Sequence, residues 1–352
     1  MQPTDIAHLI TLGAPTVSPD GRTAVVAATR PDLDENEYRS QLWSVALDAS
    51  SPPRRLTHGV RDSAPRFSPD GRWLAFLRAE PEGKPQLHVL PTAGGDSRAL
   101  TDLAGGAGAP AWSPDSASIA FTARVPEEGR YGQDEKVTPD KEPPRRITGL
   151  QYRLDGVGFL IDRRSHVFVV DVVEADEPNP PRQVSDGDFD DADVTWSPDG
   201  TWLAFVSARH DRREHELNND VFLIRPDGSD RRQLTDTALI LGRPAFTADG
   251  STLLVQGSDP GPTRTRWFAR NPGLFTVGVD GGRPERLTDA EAHQLVETRF
   301  VVEPTRALVL LENHGAIDLA AVPLDGGEPA VLAGGPRQLI GVDTAGDTIV
   351  VT

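Results

Sequence analysis

A five-residue turn motif recurs along this chain and decides most of what the chain can become. Val17-Ser18-Pro19-Asp20-Gly21 returns as Phe67-Ser68-Pro69-Asp70-Gly71, as Trp112-Ser113-Pro114-Asp115-Ser116 and as Trp196-Ser197-Pro198-Asp199-Gly200. Phe246-Thr247-Ala248-Asp249-Gly250 is a weaker copy, and Val302-Glu303-Pro304-Thr305 and Val342-Asp343-Thr344-Ala345-Gly346 are degenerate ones. Pro presets φ for the second residue of a turn, Asp suits the next position, and Gly accepts the left-handed conformation that closes a short hairpin. The runs that follow, Trp73-Leu74-Ala75-Phe76-Leu77 and Trp202-Leu203-Ala204-Phe205-Val206, are apolar on both faces. Such strands must be covered on both sides, as they are when propeller blades stack.

A second motif follows each copy of the first: a strand, a Gly- or Pro-rich turn, and a strand ending in Leu-Thr or a close variant. The ends are Leu56-Thr57, Leu100-Thr101, Val184-Ser185, Leu234-Thr235, Leu287-Thr288 and Leu332-Ala333. Each unit therefore reads as two hairpins, or four strands. Ser18 to Ser68 spans 50 residues, Ser68 to Ser113 spans 45, and Ser197 to Thr247 spans 50, a period that suits a propeller blade. The step from Ser113 to Ser197 is 84 residues with one Leu-Thr-like end inside it, which predicts one blade with an insertion at about 126–155.

The sequence thus predicts an all-β fold: a seven-bladed-type β-propeller of four-stranded antiparallel blades forming a single domain over 1–352. The expected blades are 13–57, 63–101, 109–185, 192–235, 243–288, 298–333 and a partial 338–352, so that six are complete and the seventh is truncated. Closing a propeller ring pairs its edge strands, and the other reading of the last unit is a reduced strand pair closed by the N-terminal segment.

The net charge of −17 argues against a nucleic-acid partner, since an acidic surface repels phosphates. With no cysteine, disulfides, thiolate zinc sites and a cysteine nucleophile are ruled out. The first positively charged residue is Arg22, and the apolar stretch from Ile6 to Leu12 is broken by His8 and Thr11. No secretory signal or membrane partner is expected, and the expected location is cytoplasmic.

The Ser-Pro-Asp-Gly hairpin with its Leu-Thr blade end resembles the propeller repeat of two groups: the prolyl oligopeptidase family of serine peptidases and the periplasmic propeller protein of the Tol system. Three stretches are similar to the acylaminoacyl-peptidase-like bacterial branch of the first: Tyr152 to Leu160, Asp162 to Val170, and Ser207-Ala208-Arg209-His210 leading to Asp220-Val221-Phe222. That resemblance implies a propeller that gates access of short peptides to an α/β-hydrolase catalytic domain, supplied in cis or, from a split gene, in trans. The family's nucleophile sits in a Gly-x-Ser-x-Gly elbow. This chain has no such elbow, so no catalytic residue is expected in it and the chain alone should be inactive. The alternative is a free-standing Tol-like propeller that serves as a protein-binding scaffold.

Four residues of the insertion blade, Arg153, Asp155, Arg163 and Arg164, are the candidates for substrate or interdomain contact, because Arg pairs well with carboxylates. The plainer reading of the same residues is a salt-bridge cluster at a strand edge. His210 and His215 with Asp211 and Glu214 read as a solvated loop, and Asp186, Asp188, Asp190 and Asp191 as an inter-blade turn, so neither a metal site nor a cofactor is expected. The recurring Trp43, Trp73, Trp112, Trp196 and Trp202 read as core residues.

Overall fold

The computed structural model describes residues 2–173 and 179–352, and part of the turn after Arg163–Asp171 lies outside them. Seven blades follow one another in chain order. Blade 1 is Thr16–Val17, Thr23–Asp32, Glu37–Ala46 and Arg54–Arg55; blade 2 is Arg61–Phe67, Trp73–Ala79, Gln86–Pro91 and Arg98–Ala99. Blade 3 is Ala111–Trp112, Ser118–Pro126, Arg163–Asp171 and Arg182–Gln183; blade 4 is Asp191–Trp196, Leu203–Ser207, Asp220–Ile224 and Arg232–Gln233. Blade 5 is Ile240–Phe246, Thr252–Ser258, Gly273–Gly278 and Glu285–Arg286; blade 6 is Val301–Val302, Arg306–Asn313, Ala316–Pro323 and Ala330–Ala333. Blade 7 is the hairpin Val342–Ala345 with Thr348–Val351. Every blade is antiparallel with sequential neighbours paired; blades 1 and 2 are joined in one nine-stranded sheet, blades 3 to 6 are four-stranded sheets, and the last is a two-stranded hairpin. Blade 1 carries an extra short strand, Thr11–Leu12, and a parallel bridge from Ser40 to Arg61 links it to blade 2.

The first motif builds the turn that its composition predicts and adds a side-chain lock. In blade 1 the Gly21 amide donates to the Ser18 carbonyl at 2.8 Å, with Gly21 at φ +69°. The Ser18 hydroxyl donates to Asp20 Oδ1 at 2.5 Å and accepts from the Thr23 amide at 3.0 Å. The same pair of bonds recurs at Ser68, Ser113, Ser197 and Thr247. In the turn of blade 2, burial would raise the Asp70 carboxyl, but hydrogen bonds from Ser68 and Arg72 outweigh it and hold the group down at about 2. Blade 3 has Ser116 where blades 1, 2, 4 and 5 have Gly, at φ +62°, and its hydroxyl accepts from the Asp70 amide of blade 2 at 3.0 Å.

The Leu-Thr ending also acquires a physical reason. The outer strand is short, so the third strand needs another acceptor for a buried amide. Thr57 Oγ1 accepts from Leu42 N at 2.9 Å, and Thr101, Ser185, Thr235 and Thr288 accept likewise from Leu87, Val167, Val221 and Leu274 at 2.8–3.1 Å. The preceding Leu or Val returns a bond from its own amide to the carbonyl of the same third-strand residue, at 2.7–2.8 Å. Blade 6 ends in Ala333, which has no hydroxyl.

Between these clamps the second and third strands are buried on both faces. Phe76, Phe121 and Phe205 occupy the same position in the second strands of blades 2, 3 and 4 and are fully buried. Apolar clusters fill the junctions between successive blades from the first to the seventh. The seventh and first blades meet through polar contacts: Val17 N donates to Asp343 Oδ2 at 2.9 Å, and Thr352 Oγ1 donates to the Gly13 carbonyl at 3.0 Å. Thr11–Leu12 pairs inside blade 1 and adds no strand to blade 7.

Thr57→Val keeps the shape of the clamp and deletes its acceptor, leaving the Leu42 amide buried without a partner. The expected loss is about 1–3 kcal/mol in urea unfolding; an unchanged midpoint would show that the hydroxyl contributes nothing.

Candidate functional site

Antiparallel alternation sorts the connections between strands. The Ser-Pro-Asp-Gly turns join first to second strands and fall on one face of the ring. The loops joining second to third strands fall on the other, and there the chain spends its length: 127–162 in blade 3, 208–219 in blade 4 and 259–272 in blade 5. These loops touch one another. Leu150 N donates to Glu214 Oε2 at 2.9 Å, Gln151 Nε2 to the Arg213 carbonyl at 2.9 Å, and Leu217 N to the Arg264 carbonyl at 2.8 Å. Exposed large apolar side chains gather on the same loops. Tyr131, Ile147, Leu150, Leu154 and Val157 belong to the insertion, while Trp267 and Phe268 in blade 5 are 74% and 64% exposed.

The insertion is a folded appendage pinned by one buried carboxylate. Asp162, 3% exposed, accepts hydrogen bonds from Arg145 Nε at 2.6 Å and Arg163 Nε at 3.2 Å and forms an ion pair with Arg130 Nε at 2.8 Å. Arg145 and Arg163 also grip Glu142. Burial would raise the Glu142 carboxyl, but these two arginines and the Tyr131 amide hold it at about 2. The Arg145 guanidinium lies 4.1 Å from the Phe159 ring centroid, which ties the small hairpin of Arg153–Leu154 and Gly158–Phe159 to the anchor.

The four sequence candidates divide between anchor and tip. Arg163 is in the Asp162–Glu142 anchor. Arg164 binds Asp188 at 2.7 Å and Asp190 at 3.0 Å; burial opposes its charge, yet these carboxylates hold its pKa above the ordinary value. Arg153 and Asp155 are exposed at the hairpin, with Arg153 resting 5.6 Å from the Phe159 ring centroid. Two neighbouring readings become more definite. His210 Nε2 meets the Asn218 carbonyl at 2.9 Å inside its loop. Of the aspartates read as a turn, Asp191 starts the first strand of blade 4 and is buried, bound by Arg209 at 2.8 Å and Ser185 Oγ at 2.5 Å.

Ser185, Asp191 and His166 lie together but do not form a nucleophilic triad. The Ser185 hydroxyl donates to Asp191 and not to the imidazole, which itself faces Asp191 Oδ2 at 3.4 Å, and the same hydroxyl clamps Val167 N. A serine nucleophile needs a base at its hydroxyl and an exposed oxygen. All three residues are buried.

A cavity of about 790 Å³ runs along the axis, lined by first-strand residues of several blades. Sequence reasoning missed it because its walls depend on a repeated bulge. The first strands of blades 2, 4 and 5 slip register at Ser63/Arg66, Ala192/Thr195 and Gly242/Ala245. Ala64, Asp193 and Arg243 sit there at φ +51° to +55°, without a glycine to mark the site. The bulges bring charged residues to the axis and let neighbouring blades bond beside it: Arg243 N donates to Asp193 Oδ2 at 2.9 Å. Trp112 and Trp196 pack against the inter-blade clusters as expected and also line this cavity, their indole N–H groups each donating at 3.0 Å to the preceding blade.

No family model matches the chain. It is 30% identical over 223 residues to the uncharacterized peptidase YuxL of Bacillus subtilis, covering 62% of this chain and 33% of that protein. It is 26% identical over 266 residues to dipeptidyl-peptidase 5 of Porphyromonas endodontalis, covering 71% and 37%. The chain thus spans about a third of the length of these curated relatives. In structure it is similar to the acylaminoacyl peptidase of Pyrococcus horikoshii, with TM-score 0.70, 17% identity, 97% of this chain covered and 48% of that one. It is similar to the propeller domain of the Trilobed protease of Pyrococcus furiosus, described as having an open velcro topology, with TM-score 0.64, 16% identity and 96% and 88% coverage. A putative TolB from Agrobacterium tumefaciens follows with TM-score 0.52, 20% identity and 80% and 81% coverage. The chain is therefore a β-propeller that is similar in sequence to part of these peptidases and shares its fold with peptidase propellers and with a Tol-type propeller.

Asp162→Asn removes the charge that three arginines share, leaving Arg145 and Arg163 on Glu142 alone and Arg130 without its carboxylate. The expected outcome is a loss of about 3–5 kcal/mol if the anchor and ring unfold together, with limited proteolysis cutting first within 127–160. Wild-type resistance in that segment would contradict the anchor.

Proposed function

We propose that this chain is the substrate-gating propeller of a serine peptidase that acts on short peptides, and that its loop-rich face docks an α/β-hydrolase domain. The observation that carries the proposal is the coincidence of two features on one face. The longest second-to-third-strand loops are there, and so are Trp267, Phe268 and the apolar side chains of the insertion. Large exposed apolar patches mark surfaces that a partner covers. The whole-length likeness to one half of an acylaminoacyl peptidase supports a hydrolase as that partner. The gating itself is geometric: a ring with a narrow axis and a covered face admits short peptides and excludes folded proteins. In this reading Arg153 and Asp155, which are exposed in the insertion's hairpin, contact the docked domain or a peptide. Arg163, paired in the Asp162–Glu142 anchor, holds the base of the insertion, while Arg164 is committed to Asp188 and Asp190.

A scaffold of the Tol type is the second reading, supported by the shared fold at TM-score 0.52. The two separate on a simple observation. The peptidase reading expects a hydrolase with a Gly-x-Ser-x-Gly elbow, either in the coding sequence beyond Thr352 or in a separate chain that co-purifies with this one. The isolated chain should leave acyl-peptide and aminoacyl chromogenic substrates intact. Absence of any such hydrolase, or turnover by the isolated chain that a serine-reactive inhibitor blocks, would overturn the proposal.

A further inference from the structure

The axial cavity carries a charge opposite to that of the molecule. The chain has a net charge of −17. The charged residues lining the cavity are Arg66, Arg243, Arg299, Asp193 and Asp343, three cations against two anions. The two carboxylates are already engaged. Asp343 gives one oxygen to Val17 N at 2.9 Å and the other to Arg299 at 3.0 Å, and Asp193 Oδ2 accepts from Arg243 N at 2.9 Å.

Arg66 and Arg243 are left without an ion pair among the described residues. Arg66 Nη1 reaches only the carbonyl of its neighbour Pro65, at 2.7 Å. Burial and then the like charge of Arg299 push the Arg66 guanidinium down to about 9, with Asp343 opposing, so it stays protonated at neutral pH but under-neutralised. A guanidinium presents a planar fork suited to a carboxylate. Beside these cations aromatic rings contribute to the wall: Phe67, Trp112, Trp196, Phe246 and Phe300 line the same space. Apolar walls with a few placed polar groups are the usual make-up of a small-ligand site.

We infer that the axial cavity is a binding site for an organic carboxylate with an apolar body, namely the C-terminal end of a short peptide, with Arg66 as the principal carboxylate contact and Arg243 as the second. The carboxylate follows from the unpaired arginines and the apolar body from the aromatic wall. The peptide as its carrier rests on the peptidase reading above. The site would hold a peptide by its C-terminus within the ring, a length-dependent contact separate from any chemistry at a hydrolase.

The test is calorimetric titration of the full 352-residue chain with three probes: acetyl-Ala-Ala-Phe as the free acid, the same peptide as its C-terminal amide, and 4-phenylbutyrate. The acid should bind about tenfold or more tightly than the amide, the scale of one charge-assisted hydrogen bond. Arg66→Gln should abolish that difference and leave the thermal midpoint unchanged, because no buried partner loses its counter-charge. Arg66→Lys should retain part of it. Equal affinity for acid and amide, or an acid preference that survives both Arg66→Gln and Arg243→Gln, would overturn the site. Phenylbutyrate binding as tightly as the peptide acid would overturn the peptide as carrier. A failed search for a hydrolase would sink the peptidase reading and leave the acid–amide comparison standing.

Discussion

One backbone problem governs this structure: how to satisfy the amides of the third strand once the outer strand has run out. The outer strands of blades 1 to 5 have two residues each. Past their ends, a buried N–H would cost about 1–3 kcal/mol unpaired. A threonine or serine hydroxyl takes that bond in five blades. In three of them the hydroxyl passes its own proton on, to Gln86, Asp191 and Asp220. The clamp lets an outer strand be short without fraying.

The reach of each bond decides what could be read from the chain and what could not. The Ser-Pro-Asp-Gly turns and Leu-Thr ends were legible because both are local: each side chain bonds within a few residues of itself or within its own hairpin. They gave the blade count, the all-β class and the unequal last blade. The insertion was visible as an irregular spacing, yet its anchor was not. Asp162 is one acidic residue among many in sequence, and only the fold brings Arg130 and Arg145 to it. The axial bulges left no signature either. Ala64, Asp193 and Arg243 adopt a backbone conformation usually given to glycine, held there by neighbouring blades, so composition conceals the site where charge reaches the axis. Of the four sequence candidates, Arg163 and Arg164 turned out to be committed to carboxylates of this chain, while Arg153 and Asp155 remain presented to solvent.

The functional picture follows from the two unequal faces. The turn face is built from hydrogen-bonded, self-contained hairpins. The opposite face carries long, mutually bonded loops with exposed aromatic and aliphatic side chains. Between them runs an arginine-bearing cavity inside an acidic protein. These two faces and the cavity between them are what the proposed gating role would use.

All of this requires the blades to behave as one closed ring, including the polar junction where Val17 N meets Asp343. Native-state hydrogen exchange on the chain measures it most directly. The clamped amides of Leu42, Leu87, Val167, Val221 and Leu274, together with Val17, should exchange only through a common global opening, with one shared free energy and one shared denaturant dependence. Separate opening of Val17 and blade 7, or a graded series from blade to blade, would contradict a cooperative closed ring.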